Sequence, residues 1–327
     1  MEKIKIGIVG YGNLGKGVEL AVKQNPDIEL VAIFTRRNPK DILGTSVPVY
    51  SIDKAITMKD KIDVMILCGG SATDLPIQGP EFATTFNTID SFDTHAKIPN
   101  YFEKMNTASH KANKVSIISV GWDPGLFSLS RIYFDSVLPF GKTYTFWGKG
   151  VSQGHSDAIR RISGVKNAVQ YTIPIDRAIQ NVKSGLDPEL TTAEKHIREC
   201  FVVLEDGANK EIIEEQIKTM PNYFDEYETT VHFISEEELK EKHSAMPHGG
   251  FVIRSGKTGV ENSTKQIAEF SLSLESNPEF TASVLISYAR AAFRLEKLGN
   301  VGAKTVFDIP PVLLSIKSEE ELRRELL

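Results

Sequence analysis

Lys3-Ile4-Lys5-Ile6-Gly7-Ile8-Val9-Gly10-Tyr11-Gly12-Asn13-Leu14-Gly15 decides the fold class. An apolar run of strand length meets a glycine-rich turn, and an amphipathic helix over Lys16 to Gln24 follows. Each glycine meets a physical need. Gly10 permits the tight turn, Gly12 lets backbone approach a pyrophosphate, and Gly15 allows helix and strand to pack closely. The helix N-terminus adds free N–H groups and a partial positive charge. The loop Gly10, Tyr11, Gly12, Asn13, Leu14 and Gly15 is therefore expected to hold a dinucleotide.

The next apolar run, Glu29 to Phe34, ends in Thr35-Arg36-Arg37. NAD sites usually carry an acidic residue here to bind the ribose 2′-hydroxyl. A hydroxyl and two guanidiniums suit a 2′-phosphate instead, because Arg presents planar paired donors. NADP is the expected cofactor, although solvated surface arginines would leave the same pattern.

Apolar runs and helical segments keep alternating. Strands are expected over Ile62 to Leu67, Thr84 to Ile89 and Val115 to Val120, with a helix over Pro99 to Asn113. Such alternation predicts a parallel, doubly wound α/β sheet, whose ligands lie at the carboxyl ends of the strands. Those ends carry Cys68-Gly69-Gly70-Ser71-Ala72, then Ser91-Phe92-Asp93, then Gly121-Trp122-Asp123-Pro124-Gly125. All are candidate cofactor contacts. Beyond residue 125 the rhythm changes to strands at Thr143 to Trp147, Tyr171 to Ile173, Cys200 to Leu204, Thr229 to Ile234, Phe251 to Arg254 and Ala268 to Leu274. They predict a mostly antiparallel α+β domain for substrate binding and dimerisation. The expected division is 1-122 with 276-327 against 123-275, and a final helix, Phe280 to Leu298, returns to the first domain.

Several residues could do chemistry. Asp93 and Asp123 end sheet strands where a carboxylate pair could hold a substrate ammonium and help remove its proton. Asp123 before Pro124 equally suits a helix N-cap. Trp147 fits a pocket wall or a core. Gln153-Gly154-His155-Ser156-Asp157 opens a helix and includes residues that capping alone would explain. These readings amount to a nicotinamide dehydrogenase of a small molecule and leave the substrate open.

The chain has 327 residues, 41% hydrophobic and 25% charged, which suits a soluble globular protein. Its net charge of -5 argues against nucleic acid or an anionic membrane surface as partner. No apolar stretch reaches membrane-span length and no signal-peptide pattern precedes the first strand. Cys68 and Cys200 sit in apolar runs and are expected to be buried thiols in a reducing compartment. A cytoplasmic protein is expected. No zinc-ligand spacing, P-loop or nucleophile motif is present, so no metal is expected.

Six motifs in order carry a more specific likeness: the glycine loop, Gly121 to Gly125, Thr145-Phe146-Trp147-Gly148, Ser152 to Asp157, Val169-Gln170-Tyr171-Thr172 and Met246-Pro247-His248-Gly249-Gly250. Together they resemble the meso-diaminopimelate dehydrogenase family over nearly the whole chain. The resemblance implies reversible NADP-dependent oxidative deamination of meso-2,6-diaminopimelate at its D-centre. The products are L-2-amino-6-oxopimelate, ammonia and NADPH, on a route to lysine. It implies Asp93 and Asp123 near the reacting amine, Trp122 and Trp147 as pocket walls, and Gln153, Gly154 and Asp157 lining the pocket. Thr172, Arg198 and His248 would grip the distal L-centre carboxylate, with Asn277 completing that end. The match is looser just before Arg198. A homodimer is also implied. Other readings are a different amino-acid dehydrogenase of this architecture or a non-catalytic NADP sensor, which a substrate panel separates.

Overall fold

The structure, a computed structural model, describes residues 3–327. Two compact units emerge, one running to Leu129 and resuming over Pro278–Leu327, the other Ser130–Asn277. The first unit starts with β1 (Ile4–Val9), α1 (Asn13–Lys23), β2 (Ile28–Thr35) and β3 (Val49–Ser51). It continues with β4 (Val64–Leu67), α2 (Leu75–Ala83), β5 (Asn87–Asp90), α3 (Ile98–Lys111) and β6 (Val115–Ile117). Neighbouring strands all pair in parallel. β1 explains why: Ile4, Ile6 and Ile8 join one apolar cluster while Val9 joins another. A strand covered on both faces is what a parallel sheet between helices requires. β5 begins at Asn87 rather than Thr84, because Thr84 belongs to the end of α2, where its hydroxyl donates to the Glu81 carbonyl at 2.7 Å. Cys68 lies one residue beyond β4 and is half-buried as a residue. Burial of its thiol nonetheless pushes the pKa up to about 12. Cys200 is buried as expected.

The division between units falls inside α4 (Leu126–Val137). The second unit contains β7 (Gly141–Trp147), β8 (Gly150–Val151), α5 (Gln153–Arg160), β9 (Val165–Pro174), α6 (Asp176–Lys183) and α7 (Thr192–Lys195). Then come β10 (His196–Leu204), α8 (Lys210–Lys218), β11 (Glu228–Phe233), α9 (Glu236–Lys242), β12 (His248–Thr258) and β13 (Thr264–Leu274). These form two sheets where one was expected, ordered β11-β10-β9-β8 and β13-β12-β7. Pairing is antiparallel except for β10 with β11, because the segment containing α8 returns the chain to the same end of the sheet. Ile159, Cys200, Val202, Ile213 and Phe224 form the core of the first sheet, and Tyr144, Phe146, Ile179 and Ile253 that of the second.

The chain then re-enters the first unit. α10 (Asn277–Lys297) contributes Ala282, Leu285, Ile286, Ala289 and Ala292 to the cluster that holds β1. Its Arg290, buried, makes a two-pronged pair with Asp27 just before β2, at 2.6 and 2.8 Å. A Cβ on Gly17 of α1 would lie 2.9 Å from the Pro278 carbonyl, so only glycine admits α10 there. β14 (Gly302–Lys304) adds to β6 and completes the sheet β14-β6-β5-β4-β1-β2-β3 before α11 (Glu319–Leu326). The run β3-β2-β1-β4-β5-β6 is the doubly wound dinucleotide-binding order, with its switch point between β1 and β4. Among the described residues, no helix is long and apolar enough to cross a membrane.

Candidate active site

At the switch point the glycine loop is shaped by contact. Gly10 has φ +90°, a left-handed conformation open to glycine, and a Cβ there would lie 3.2 Å from the Cys68 carbonyl. A Cβ on Gly15 would lie 2.2 Å from the Gly10 carbonyl, which only glycine avoids. Gly12 is the N-cap of α1, makes no side-chain cap bond, and has nothing within 4 Å of a Cβ position. The cap supplies no side-chain acceptor to the first amides, and the space before Gly12 suits a pyrophosphate. Thr35, Arg36 and Arg37 come to the same end. The Arg37 amide donates to Thr35 Oγ1 at 3.1 Å and its guanidinium to the Tyr11 carbonyl at 2.5 Å. Arg36 pairs with Asp74 at 2.8 Å and lines a groove with Ile52, Asp53, Thr73 and Gln78.

The segment after β4 meets the turn after β5, for Ser71 Oγ accepts from the Asp93 amide at 3.1 Å. Asp93 is exposed and Asp123 half-buried. Trp122 is buried edge-on against Phe127, ring centroids 5.2 Å apart. Gly125 closes the turn at φ +135°, where a Cβ would fall 1.8 Å from the Gly121 carbonyl. Gly121 to Gly125 thus form a rigid corner at the end of the sheet.

The second unit gathers its candidates by strand pairing. Arg198 on β10 lies opposite Thr172 on β9, which lies opposite Gly150 on β8. A Cβ on Gly150 would be 2.6 Å from the Cα of His248, so Arg198, Thr172 and His248 form one row. Both Arg198 and Thr172 are buried, and the guanidinium donates to the Thr172 hydroxyl. Its other neighbour is the face of Tyr227, 3.8 Å from the ring centroid. Its Nε has no partner, and no carboxylate pairs with it among the described residues. Burial lowers the Arg198 pKa from its ordinary value, yet it stays a cation. A buried guanidinium without a counter-charge is a strong demand for an anion. Asn277 lies nearby in the chain path, its amide donating to the Met246 carbonyl at 3.0 Å.

At the start of α5, Ser152 caps the helix and bonds the His155 ring at 2.7 Å, while Ser156 accepts from the Gln170 amide at 2.9 Å. His155 and Ser156 are thereby committed to structure. Gln153 and Gly154 stay exposed in the first turn, and Asp157 pairs with Arg160.

Three residues escaped the sequence reading. His196 is buried, accepts from the Trp147 amide at 2.8 Å through Nε2, and stacks on the Trp147 ring at 5.4 Å. Burial, Arg198 and Lys195 push its pKa down to about 3, so it is a neutral acceptor. The two-residue period of β10 puts His196 on the face of Arg198, a signal that was available. Tyr227 left no signal. Asp90 ends β5 as a fully buried carboxylate, one residue beyond the strand expected over Thr84 to Ile89.

Residues 121–276 match the family described as Diaminopimelic acid dehydrogenase C-terminal domain. The chain is 70% identical to a meso-diaminopimelate D-dehydrogenase of Ureibacillus thermosphaericus over 100% of both chains. It resembles the solved C. glutamicum DAP dehydrogenase in complex with DAP, at TM-score 0.94 and 45% identity over 100% of both chains. An engineered D-amino acid dehydrogenase bound to NADP+ matches at TM-score 0.89 and 43% identity, covering 99% of this chain and 100% of that one.

Proposed function

This chain belongs to the meso-diaminopimelate D-dehydrogenase family, and from that premise we propose a division of labour between its units. The reaction is oxidative deamination of meso-2,6-diaminopimelate with a nicotinamide cofactor. In the proposal the cofactor is NADP and the first unit holds it. Gly10 to Gly15 take the pyrophosphate, Thr35, Arg36 and Arg37 the 2′-phosphate, and Cys68 to Ala72, Ser91 to Asp93 and Gly121 to Gly125 the nicotinamide half. Held by these residues, the cofactor would supply a hydride acceptor for the D-centre carbon.

Asp93 and Asp123 hold the reacting ammonium, and one of them takes a proton from it so that the nitrogen lone pair can drive hydride departure. Water then adds to the imine carbon and ammonia leaves, giving the ketone. Trp122 and Trp147 wall this end, with Gln153, Gly154 and Asp157 beside them. Thr172, Arg198 and His248 grip the distal carboxylate, and Asn277 completes that end. Binding energy at the unreactive centre orients the reactive C–H. The observation that carries the substrate assignment is Arg198, buried and cationic beside Thr172 with no carboxylate partner among the described residues. The proposal also takes the second unit as the dimerisation domain of a homodimer and the location as cytoplasmic. The family resemblance supports the former, and the free thiols Cys68 and Cys200 the latter.

NADPH formation at alkaline pH with meso-, L,L- and D,D-diaminopimelate tests the reading. The meso isomer is expected to react and the L,L isomer to be inert. Activity with the L,L isomer alone would overturn it.

A further inference from the structure

One carboxylate that takes no part in the proposed chemistry joins the two turns that do. Asp90 ends β5 with its side chain fully buried. Its Oδ1 accepts two backbone N–H bonds, from Phe92 at 3.0 Å and from Ser119 at 3.1 Å. Oδ2 accepts from the Tyr101 hydroxyl at 2.7 Å, and the Asp90 carbonyl accepts from the Val120 amide at 2.9 Å. Phe92 precedes Asp93, and Ser119-Val120 lead into Trp122 and Asp123. The Tyr101 ring stacks on Phe92 at 4.2 Å, which seats the same turn from the α3 side.

Two details set this apart from ordinary strand-end bonding. Ser119 has φ +56°, a left-handed conformation that a non-glycine residue adopts only when its surroundings enforce it. The bond from its amide to Asp90 is one such enforcement. Second, among the described residues no cation pairs with Asp90; hydrogen-bond donors alone meet its charge. A carboxylate is the most costly acceptor to bury, and the bonds it accepts are among the strongest and most directional.

We propose that Asp90 is a positioning residue for the reaction: its Oδ1, shared between the Phe92 and Ser119 amides, fixes the turn bearing Asp93 against the turn bearing Trp122 and Asp123. The inference rests on the roles proposed for Asp93 and Asp123. Without Asp90 the two carboxylates that hold the ammonium would vary in separation, and the reactive C–H would lose its alignment for hydride transfer.

The test compares Asp90→Asn with Asp90→Ser in the full-length enzyme. Asn keeps an oxygen at the Oδ1 position and can turn its NH2 to the Tyr101 hydroxyl, so kcat should stay within about fivefold of wild type. Ser is too short to reach both amides, and kcat should fall about fiftyfold or more, with KM for meso-diaminopimelate changing less than kcat. The primary deuterium isotope effect with substrate labelled at the D-centre should rise in the Ser variant and stay put in the Asn variant. A merely structural role would leave the isotope effect unmoved. A folded Ser variant with wild-type kcat and isotope effect overturns the proposal, as does an Asn variant as impaired as Ser. Should the Ser variant not fold, the Asn variant decides alone: kcat lowered more than tenfold refutes, and retention supports. Failure of the wild-type enzyme to oxidise meso-diaminopimelate would instead refute the functional reading beneath it.

Discussion

The two units build their candidate sites from different material. In the first, the shape is backbone: the glycines at 10, 12 and 15, the corner from Gly121 to Gly125, and amides drawn onto Asp90. In the second, it is side chains set in a row by strand register, Arg198 beside Thr172 and His248 across from Gly150. A backbone site is damaged by adding atoms and is tied to the fold. A side-chain site is damaged by removing atoms and can cost stability to keep. Among the described residues the charges buried without an ionic partner differ too, with Asp90 a carboxylate in the first unit and Arg198 a guanidinium in the second.

The sharpest way to break that contrast is Arg198→Met. Truncating one partner of a buried charge pair costs about 2–5 kcal/mol, so kcat/KM for meso-diaminopimelate should fall about a thousandfold. Removing a buried charge without a counter-ion should at the same time raise the Tm of the free protein. A variant that loses activity and stability together would mean Arg198 is structural. Gly15→Ala is the converse experiment. With its new methyl directed 2.2 Å from the Gly10 carbonyl, it should weaken NADP binding about a hundredfold, near 2.7 kcal/mol, and lower Tm. Gly12→Ala has open space and should lose cofactor affinity alone. Titration of both variants with NADPH, alongside thermal melts, separates the cases.

Acid should also tell the units apart. In the second, burial pushes His155 down to about 4 and His196 to about 3. Their unfolded counterparts titrate near 6.5, so the unfolded chain binds protons that the fold refuses. That stability is present above about 6.5 and is lost as pH falls through the folded values. Asp90 runs the other way. Burial raises its carboxyl to about 6, so its contribution is full below the unfolded value of about 3.9 and is lost as pH rises through the folded value. Between pH 7 and pH 5 each of these histidines should cost the second unit about 2 kcal/mol, about 4 together, at most about 1.4 per histidine per pH unit. Hydrogen exchange should show β9 and β10 losing protection while β5 and β6 hold. Equal loss in both would erase the electrostatic contrast. The smallest effect is expected where the first unit does use side chains. Replacing Arg36 and Arg37 together by Ala should raise KM for NADP about tenfold more than for NAD, near 1.4 kcal/mol. Parallel changes would mean that neither arginine reads the 2′-phosphate.

The same contrast explains what was legible from sequence. β1, the glycine loop and α1 follow from local spacing, because each glycine serves a need within a few residues. The two-residue β8 and three-residue β14 are too short to show a period, and α2 is interrupted by Pro76, Gly79 and Pro80. The row from Arg198 to His248 depends on register among β10, β9, β8 and β12, which motif resemblance suggested and no local pattern encodes. Asp90 was passed over because burial and partners, set only by tertiary packing, give it its role, whereas alternation along β10 already placed His196 on the face of Arg198.

D-lysine is meso-diaminopimelate without its distal carboxylate, so it probes the grip ascribed to Arg198. The decisive measurement is kcat/KM for both compounds with wild-type enzyme and with Arg198→Met. If Arg198 holds the distal carboxylate, wild type should favour meso-diaminopimelate over D-lysine by about a thousandfold, near 4 kcal/mol, and the variant by less than about tenfold. The same preference in both proteins would contradict the account.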